Sequence, residues 1–487
     1  MFGGVTRNMV RACNDYFYWP GLILALNIGD VVRYGPNRLV FNTEPGLKGI
    51  YGHGANVLKS EGYEKVSLLP GVHSSIATLD NTRHKGFRRL LTQGLSDANI
   101  RSMDAKMTKI AALFARLVGE RQDRHATATG GQPALEAEDG WSVPKNMAHW
   151  CDYFTFDTMS ELVFGSSYDL LQDSQNHFII DGITSQMYRF GFLLNFPELE
   201  SIKMNHILFP SARAKALRFY AKSKQIMEER KARDGEKKKN DVLSNLLAAT
   251  DPETGEGFSN QQLWIESNLL IIAGSDTSST AMAALFFYLA RNPAAYDRVT
   301  KEVRGVFQGI DDISQGPKLL SCTYLRACIQ EALRLCPPVT GPLWRQVLPG
   351  GITISGHNIP AGYEVGTGFW SLNRSDKYYP EPLQFLPERW LPESTTGAEQ
   401  LGMARAAFAS FSVGPRNCVG KGLAITELML GMAAVIAQYD FRPARDARLA
   451  QVGEGEGASR GQFQTFWGFT SEKNGPYLEF RALRDSK

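Results

Sequence analysis

The ten residues Phe411-Ser-Val-Gly414-Pro-Arg416-Asn-Cys418-Val-Gly420 carry more chemical information than any other part of the chain. A cysteine placed directly before a helix meets free backbone N–H groups and the positive end of the helix dipole, and both favour thiolate over thiol. Gly414 and Gly420 permit tight turns and the close approach of a flat ligand. Arg416 can pair with a carboxylate, and Phe411 can screen the sulfur from water. A screened thiolate suits the axial position on a haem iron, where it donates electron density that favours O–O cleavage. The bland alternative is an inert buried cysteine in a glycine-rich turn, which is what most free cysteines are. Five specified positions within ten residues weigh against it.

Around this loop the patterning is mostly helical. Val419 to Tyr439, Tyr324 to Leu335, Gln261 to Arg291 and Met147 to Phe164 all have helical apolar spacing, with Pro293 and Pro337-Pro338 as stops. Ile100, Met103, Met107, Ile110, Phe114 and Leu117 predict one further helix, with Ser96-Asp97 as its N-cap. Strand-like runs are short: Val31 to Tyr34 and Arg38 to Phe41 about the Gly35-Pro36-Asn37 turn, Val347 to Val365 with a Ser355-Gly356 turn signal, and Gln462 to Phe480. The expectation is a mainly α protein with small β-sheets, of α+β class. Gln122 to Gly140 reads as a polar loop, and Lys231 to Asn240, with Lys237-Lys238-Lys239, as a solvated connector. With no internal repeat and no clean linker, residues 29–487 read as a single catalytic domain behind a lead segment, residues 1–28.

The composition excludes several classes. At 43% hydrophobic and 21% charged, the chain has material for a large core and is not globally disordered. A net charge of +3 is too small for the basic stripe of a nucleic-acid binder. Six irregularly spaced cysteines form no CxxC pair, which argues against a disulfide scaffold or a cysteine zinc site and for a reducing compartment. The most apolar N-terminal stretch, Tyr16 to Ile28, is broken by Pro20, Gly21 and Asn27 and falls short of the roughly 20 residues a membrane span needs. By sequence the protein is expected to be soluble or peripheral, without a transmembrane helix. Gly453-Glu-Gly455-Glu-Gly457 has neither the preceding strand nor the following helix of a dinucleotide loop and reads as a flexible surface loop. Asn373-Arg-Ser375 is a glycosylation sequon expected to be idle.

Three more motifs precede the cysteine loop in order: Ala273-Gly274-Ser275-Asp276-Thr277-Ser278, then Glu331-Ala-Leu-Arg334, then Phe385-Leu-Pro387-Glu-Arg389-Trp390. Each alone is weak, since a Glu/Arg pair one turn apart is most often a surface pair. Together and in this order they resemble the cytochrome P450 family, the haem-thiolate monooxygenases, and the texture around Gly35-Pro36-Asn37 and His84-x-x-x-Arg88 resembles its fungal microsomal members.

The resemblance implies that fold, with a long central helix over haem b and Cys418 as the proximal iron ligand in its loop. It implies haem contacts from Phe411 and Gly414, and propionate contacts from Arg416, His84, Arg88 and Arg345, cations that a buried dianionic edge requires. Glu331, Arg334 and Arg389 are implied as a structural salt-bridge triad. Gly274 is expected to let the haem face come close. Thr277, four residues beyond Ala273, can take that carbonyl and open the helix, leaving Asp276 and Thr277 as an acid–alcohol pair that relays protons. Arg83, Lys85, Arg89 and Lys421 are expected to form a basic surface for an electron donor. Substrate contacts are expected at Val72 to Leu79, Phe192 to Phe196, Val339 to Leu343 and Phe466 to Phe469, with Phe286 and Phe287 in the core. The implied reaction inserts one atom of O2 into a hydrophobic small molecule of secondary metabolism, with electrons from NADPH through a separate flavoprotein reductase. Haem-thiolate isomerisation or dehydration without a reductase, and a haem-based sensor, are the alternatives. The family implies the cytosolic face of the endoplasmic reticulum, where Phe192, Leu193, Leu194 and Phe196 either dip into the membrane or pack in the core.

Overall fold

A computed structural model describes residues 29–66, 71–123, 140–201, 208–232, 240–392 and 397–483. The lead segment 1–28 and most of the 122–140 loop and 231–240 connector lie outside them. Helices start where the sequence supplies caps. Ser259 accepts from Gln262 N to open the long helix Asn260–Arg291, Asp80 accepts from Arg83 N at 2.6 Å to open Asn81–Gly94, and Ser96 accepts from Asn99 N. The helix expected from Ser96 onward is two, Asp97–Ser102 and Asp104–Gly119. The chain re-aims at Met103, where Asp104 turns its carboxylate to Gln315 N at 2.8 Å. Pro293 both follows the end of the long helix and occupies the first turn of the next, Pro293–Val306, where its missing N–H costs nothing.

The long helix is buried on almost every side. Met147–Phe164 lies against it, itself buried over nearly its whole circumference, and Lys421–Gln438 crosses the same core. Phe286 and Phe287 are fully buried there. Asn260–Arg291 and Lys421–Gln438 are long and apolar enough to cross a membrane, but most of each is covered by the fold, as in core helices.

The sheets are small and sit at the edges. A five-stranded sheet runs Val31–Gly35, Arg38–Phe41, Glu364–Gly366, Arg345–Val347, Val57–Lys59, antiparallel except where Arg38–Phe41 meets Glu364–Gly366. Its register sets Lys59 directly opposite Arg345. Ile352–Ile354 and His357–Ile359 form a hairpin whose turn, Ser355-Gly356, has positive φ at both residues. Near the C-terminus, Thr465–Phe466 pairs with Glu472–Lys473, and Tyr477–Ala482 pairs with Tyr439–Pro443 and Lys145–Asn146.

Candidate active site

The cysteine loop is fixed from three sides. Gly414 sits at φ +73°, and a Cβ there would fall 1.9 Å from the Tyr51 carbonyl oxygen at the end of helix Glu44–Tyr51, so only glycine fits. Cys418 N–H donates to Phe411 O at 2.9 Å and closes the turn. Arg88 grips Asn417, at 2.5 Å to its carbonyl and 2.7 Å to its side-chain oxygen. Gly420 follows with space for a methyl, 4.0 Å from Cys418 Sγ, and the helix Lys421–Gln438 begins. Burial pushes the Cys418 thiol up, while the Gly420 N–H, Arg88 and Lys421 pull it down. The helix start therefore acts in the direction the sequence suggests but does not by itself produce a thiolate; a metal cation on the sulfur would.

Cys418 and Phe411 form one wall of a cavity of about 310 Å³. Ala273, Gly274 and Thr277 of the long helix form another. Thr277 Oγ1 donates to Ala273 O at 2.6 Å, the bond the spacing predicts. Two residues of this helix have further partners. Gly274 borders the cavity, and a Cβ there would stand 2.6–2.9 Å from the Met159 side chain, so the missing methyl also serves helix packing against Met147–Phe164. Asp276 does not line the cavity beside Thr277. Its Oδ2 accepts from Thr470 Oγ1 in the C-terminal hairpin, and burial pushes its carboxyl up to about 6 against the pull of Lys473 and Thr470.

At one edge the cavity is strongly cationic. Arg345, Arg416 and Lys59 line it. Arg345 and Lys59 are 4% and 7% exposed, and directly paired residues share a sheet face, so two like charges are buried side by side. They bond only neutral oxygens: Arg345 donates to Leu343 O and Trp344 O, Lys59 to Ile76 O at 2.6 Å, and Arg416 to Thr78 O, Leu79 O, Asp80 O and Asn81 Oδ1. Among the described residues none of the three has a carboxylate ion-pair partner. Burial and the neighbouring cations push Lys59 well down and Arg416 to about 10. His84 stands behind this edge; burial, then Arg416, Lys59, Arg88 and Arg345, drive it to about 3. Arg88 also stands behind, on the cysteine loop. Buried cations converging without an anion, at the rim of an apolar slot with a sulfur in its floor, fit a flat dianionic haem.

Sequence reasoning missed Lys59. The alternation in Val57–Lys59, with Val57 and Lys59 buried and Leu58 less so, was its one local signal. The partner that gives it meaning lies almost three hundred residues away.

Behind the loop, Glu331 is fully buried and saturated. Arg334 donates to both its oxygens at 2.8 and 2.9 Å, Arg389 and Leu386 N at 3.0 Å, and Trp390 Nε1 at 2.9 Å. Arg334 continues to Asn373 O and Pro382 O, both at 2.7 Å.

Comparison with known proteins agrees with this geometry. The sequence profile described as Cytochrome P450 matches residues 39–459. The chain belongs to the cytochrome P450 family. It is 54% identical over 462 residues to cytochrome P450 monooxygenase apf7 of Gibberella fujikuroi, covering 93% of this chain and 86% of that one. It is 37% identical to cytochrome P450 monooxygenase atnE of Emericella nidulans and to cytochrome P450 monooxygenase AKT7 of Alternaria alternata, each covering 93% of this chain and 85% of the relative. Family membership makes haem the cofactor and the chain an oxygen-incorporating oxidoreductase.

Within this cytochrome P450, the cavity walls include Ser74 and Ile76, Val339 and Leu343, and Phe469, each within an expected substrate segment, with Thr470 one residue beyond the last of them. The helix Phe178–Asn195 differs: it contributes Met187 and Phe190, a turn or two before the expected Phe192 to Phe196. Leu193 and Leu194 are buried, and Phe192 packs against Phe196 and Phe209, leaving Phe196 44% exposed. The expected basic surface is narrower than four residues. Arg89 is held bidentately by Asp251 and also pairs with Glu253, and Lys85 approaches Glu253 at 3.8 Å. The sequon residue Asn373 is fully buried.

Proposed function

We propose that this cytochrome P450 inserts one atom of O2 into a C–H or C=C bond of a hydrophobic small molecule of secondary metabolism. The carrying observation is that a cysteine sulfur and the Thr277 hydroxyl border one largely apolar cavity with a cationic rim. Haem b bound there would supply the chemistry: O2 takes two electrons and two protons, one oxygen enters the substrate and the other leaves as water. The names of the relatives, all monooxygenases of fungi, support this class.

The protein's own share is positioning and proton movement. Cys418, open to the cavity, offers its sulfur to the iron. Arg345, Arg416 and Lys59 meet the propionate edge, while Arg88 keeps the loop in place through Asn417 and His84 packs behind. Thr277, by taking the Ala273 carbonyl, fixes its hydroxyl at the cavity wall and loosens the helix there. Asp276, held on Thr470 with a carboxyl near 6, would have to leave that bond to pass a proton toward the Thr277 hydroxyl. Residues 29–487 act as one catalytic domain. Electrons come from NADPH through a separate flavoprotein reductase that docks near Arg83 and Lys421. Exposed Phe196 faces the endoplasmic reticulum membrane from the cytosolic side.

The test is product formation under ¹⁸O2. One labelled atom per product, dependent on NADPH and reductase, is expected. Product formed without reductase, or without label, would contradict the proposal and indicate rearrangement or dehydration.

A further inference from the structure

The C-terminal hairpin straps onto the long helix where Asp276 lies. Thr470 Oγ1 donates to Asp276 Oδ2, Thr280 Oγ1 donates to Ser471 O at 3.3 Å, and Lys473 Nζ donates to Ser279 Oγ at 2.9 Å. The Lys473 side chain is only 4% exposed and reaches Asp152 Oδ1, 2.7 Å away on helix Met147–Phe164; the Asp152 side chain is 12% exposed. The buried ammonium is thus ion-paired with Asp152 and reaches Ser279, one turn along the long helix from Asp276. A buried lysine needs at least one anion to keep its proton; Asp152 supplies the ion pair, and the Asp276 carboxylate also favours the charged form.

We propose that Lys473 is a positioning residue for proton delivery: from its seat on Asp152 and Ser279 its ammonium keeps Asp276 ionised and turned to the hairpin between turnovers. Asp152 sets how much of that positive charge Asp276 experiences. The charged groups acting on Asp276 are Lys473, which favours its ionised form, and Asp152 and Glu472, which oppose it; the Thr470 hydroxyl bond also favours ionisation. Burial acts to lower Lys473, and Asp152 followed by Asp276 outweighs it, so the ammonium is held above its ordinary value. Because Thr470 and its neighbour Phe469 also border the cavity, the acid is tied to the hairpin that a substrate would touch. The proton-relay role of Asp276 is the reading on which this inference rests.

The test is an infrared pH titration of haem-loaded protein, following the carboxyl band that Asp276→Asn removes. Lys473→Met is expected to raise its midpoint by about 1–3 pH units, and Lys473→Arg to restore it. Asp152→Asn is expected to move it the opposite way, since the whole of the Lys473 charge then acts on Asp276. Shifts of opposite sign are not produced by general loosening of the fold. A midpoint unchanged in both Lys473→Met and Asp152→Asn, or raised in both, overturns the inference; if Lys473→Met fails to load haem, the sign of the Asp152→Asn shift decides alone. Full coupled turnover by Asp276→Asn would instead remove the relay reading while leaving the titration result standing.

Discussion

Glu331 shows how much one buried side chain carries. It takes five hydrogen bonds from Arg334, Arg389, Trp390 and Leu386, and removing it strands two buried guanidinium groups. Glu331→Ala is expected to cost about 3–5 kcal/mol and to give protein without haem, measured by denaturant unfolding and by the haem-to-protein ratio. A fully loaded, stable variant would refute its scaffold role. Glu427, buried on helix Lys421–Gln438 and bordering the cavity, makes a prediction with a sign. Burial raises its carboxyl from 4.5 to about 8, with the Ser278 hydroxyl pulling the other way, so the folded state holds this proton longer than the unfolded chain. Its contribution is complete below pH 4.5 and is lost as pH rises through about 8. The stability of wild type relative to Glu427→Gln should therefore fall across that window; a constant difference would contradict it. Residues joined by local spacing were legible in advance: Ala273 with Thr277, and Glu331 with Arg334. Lys59 and Met159 were not, because the partners that give them meaning, Arg345 and Gly274, are brought to them only by register and helix packing.

At the scale of elements, the cysteine loop depends on the helix Glu44–Tyr51 beneath it. Gly414→Ala combines a positive φ with a backbone carbonyl that cannot retreat, so it is expected to lower haem occupancy sharply. Gly305→Ala is the contrasting case: nothing lies within 4 Å in helix Pro293–Val306, and alanine there should stabilise by about 1 kcal/mol. Haem content and urea midpoints of the two variants check both. The long apolar helices were readable because burial on most sides leaves a continuous apolar signal bounded by caps and prolines. The break at Met103 was not, since apolar spacing continues across it and only the tie from Asp104 to Gln315 shows the change of direction. The five-stranded sheet was unreadable as a unit. Its strands come from residues 31–59 and 345–366, and hydrogen-bond register between distant segments leaves no local trace.

For the whole molecule, the fold gathers an apolar slot, a sulfur and a cationic rim, and leaves the surface near the loop only weakly basic. Arg89 and Lys85 are offset by Asp251 and Glu253, while Lys421 and Arg83 sit over the Phe411 and Phe87 rings. Reduction by the flavoprotein is expected to slow with added salt, and charge reversal at Lys421 together with Arg83 should slow it at low salt and flatten that dependence. Stopped-flow reduction rates that ignore both salt and substitution would exclude docking there. The central claim is that Cys418 holds haem iron through a thiolate. The reduced, carbon monoxide-bound absorption spectrum of the haem-loaded protein tests it most directly. A strongly red-shifted Soret band, absent in Cys418→Ala, is the predicted result; an unshifted band of the kind an imidazole ligand gives, or a red-shifted band that survives Cys418→Ala, would contradict it.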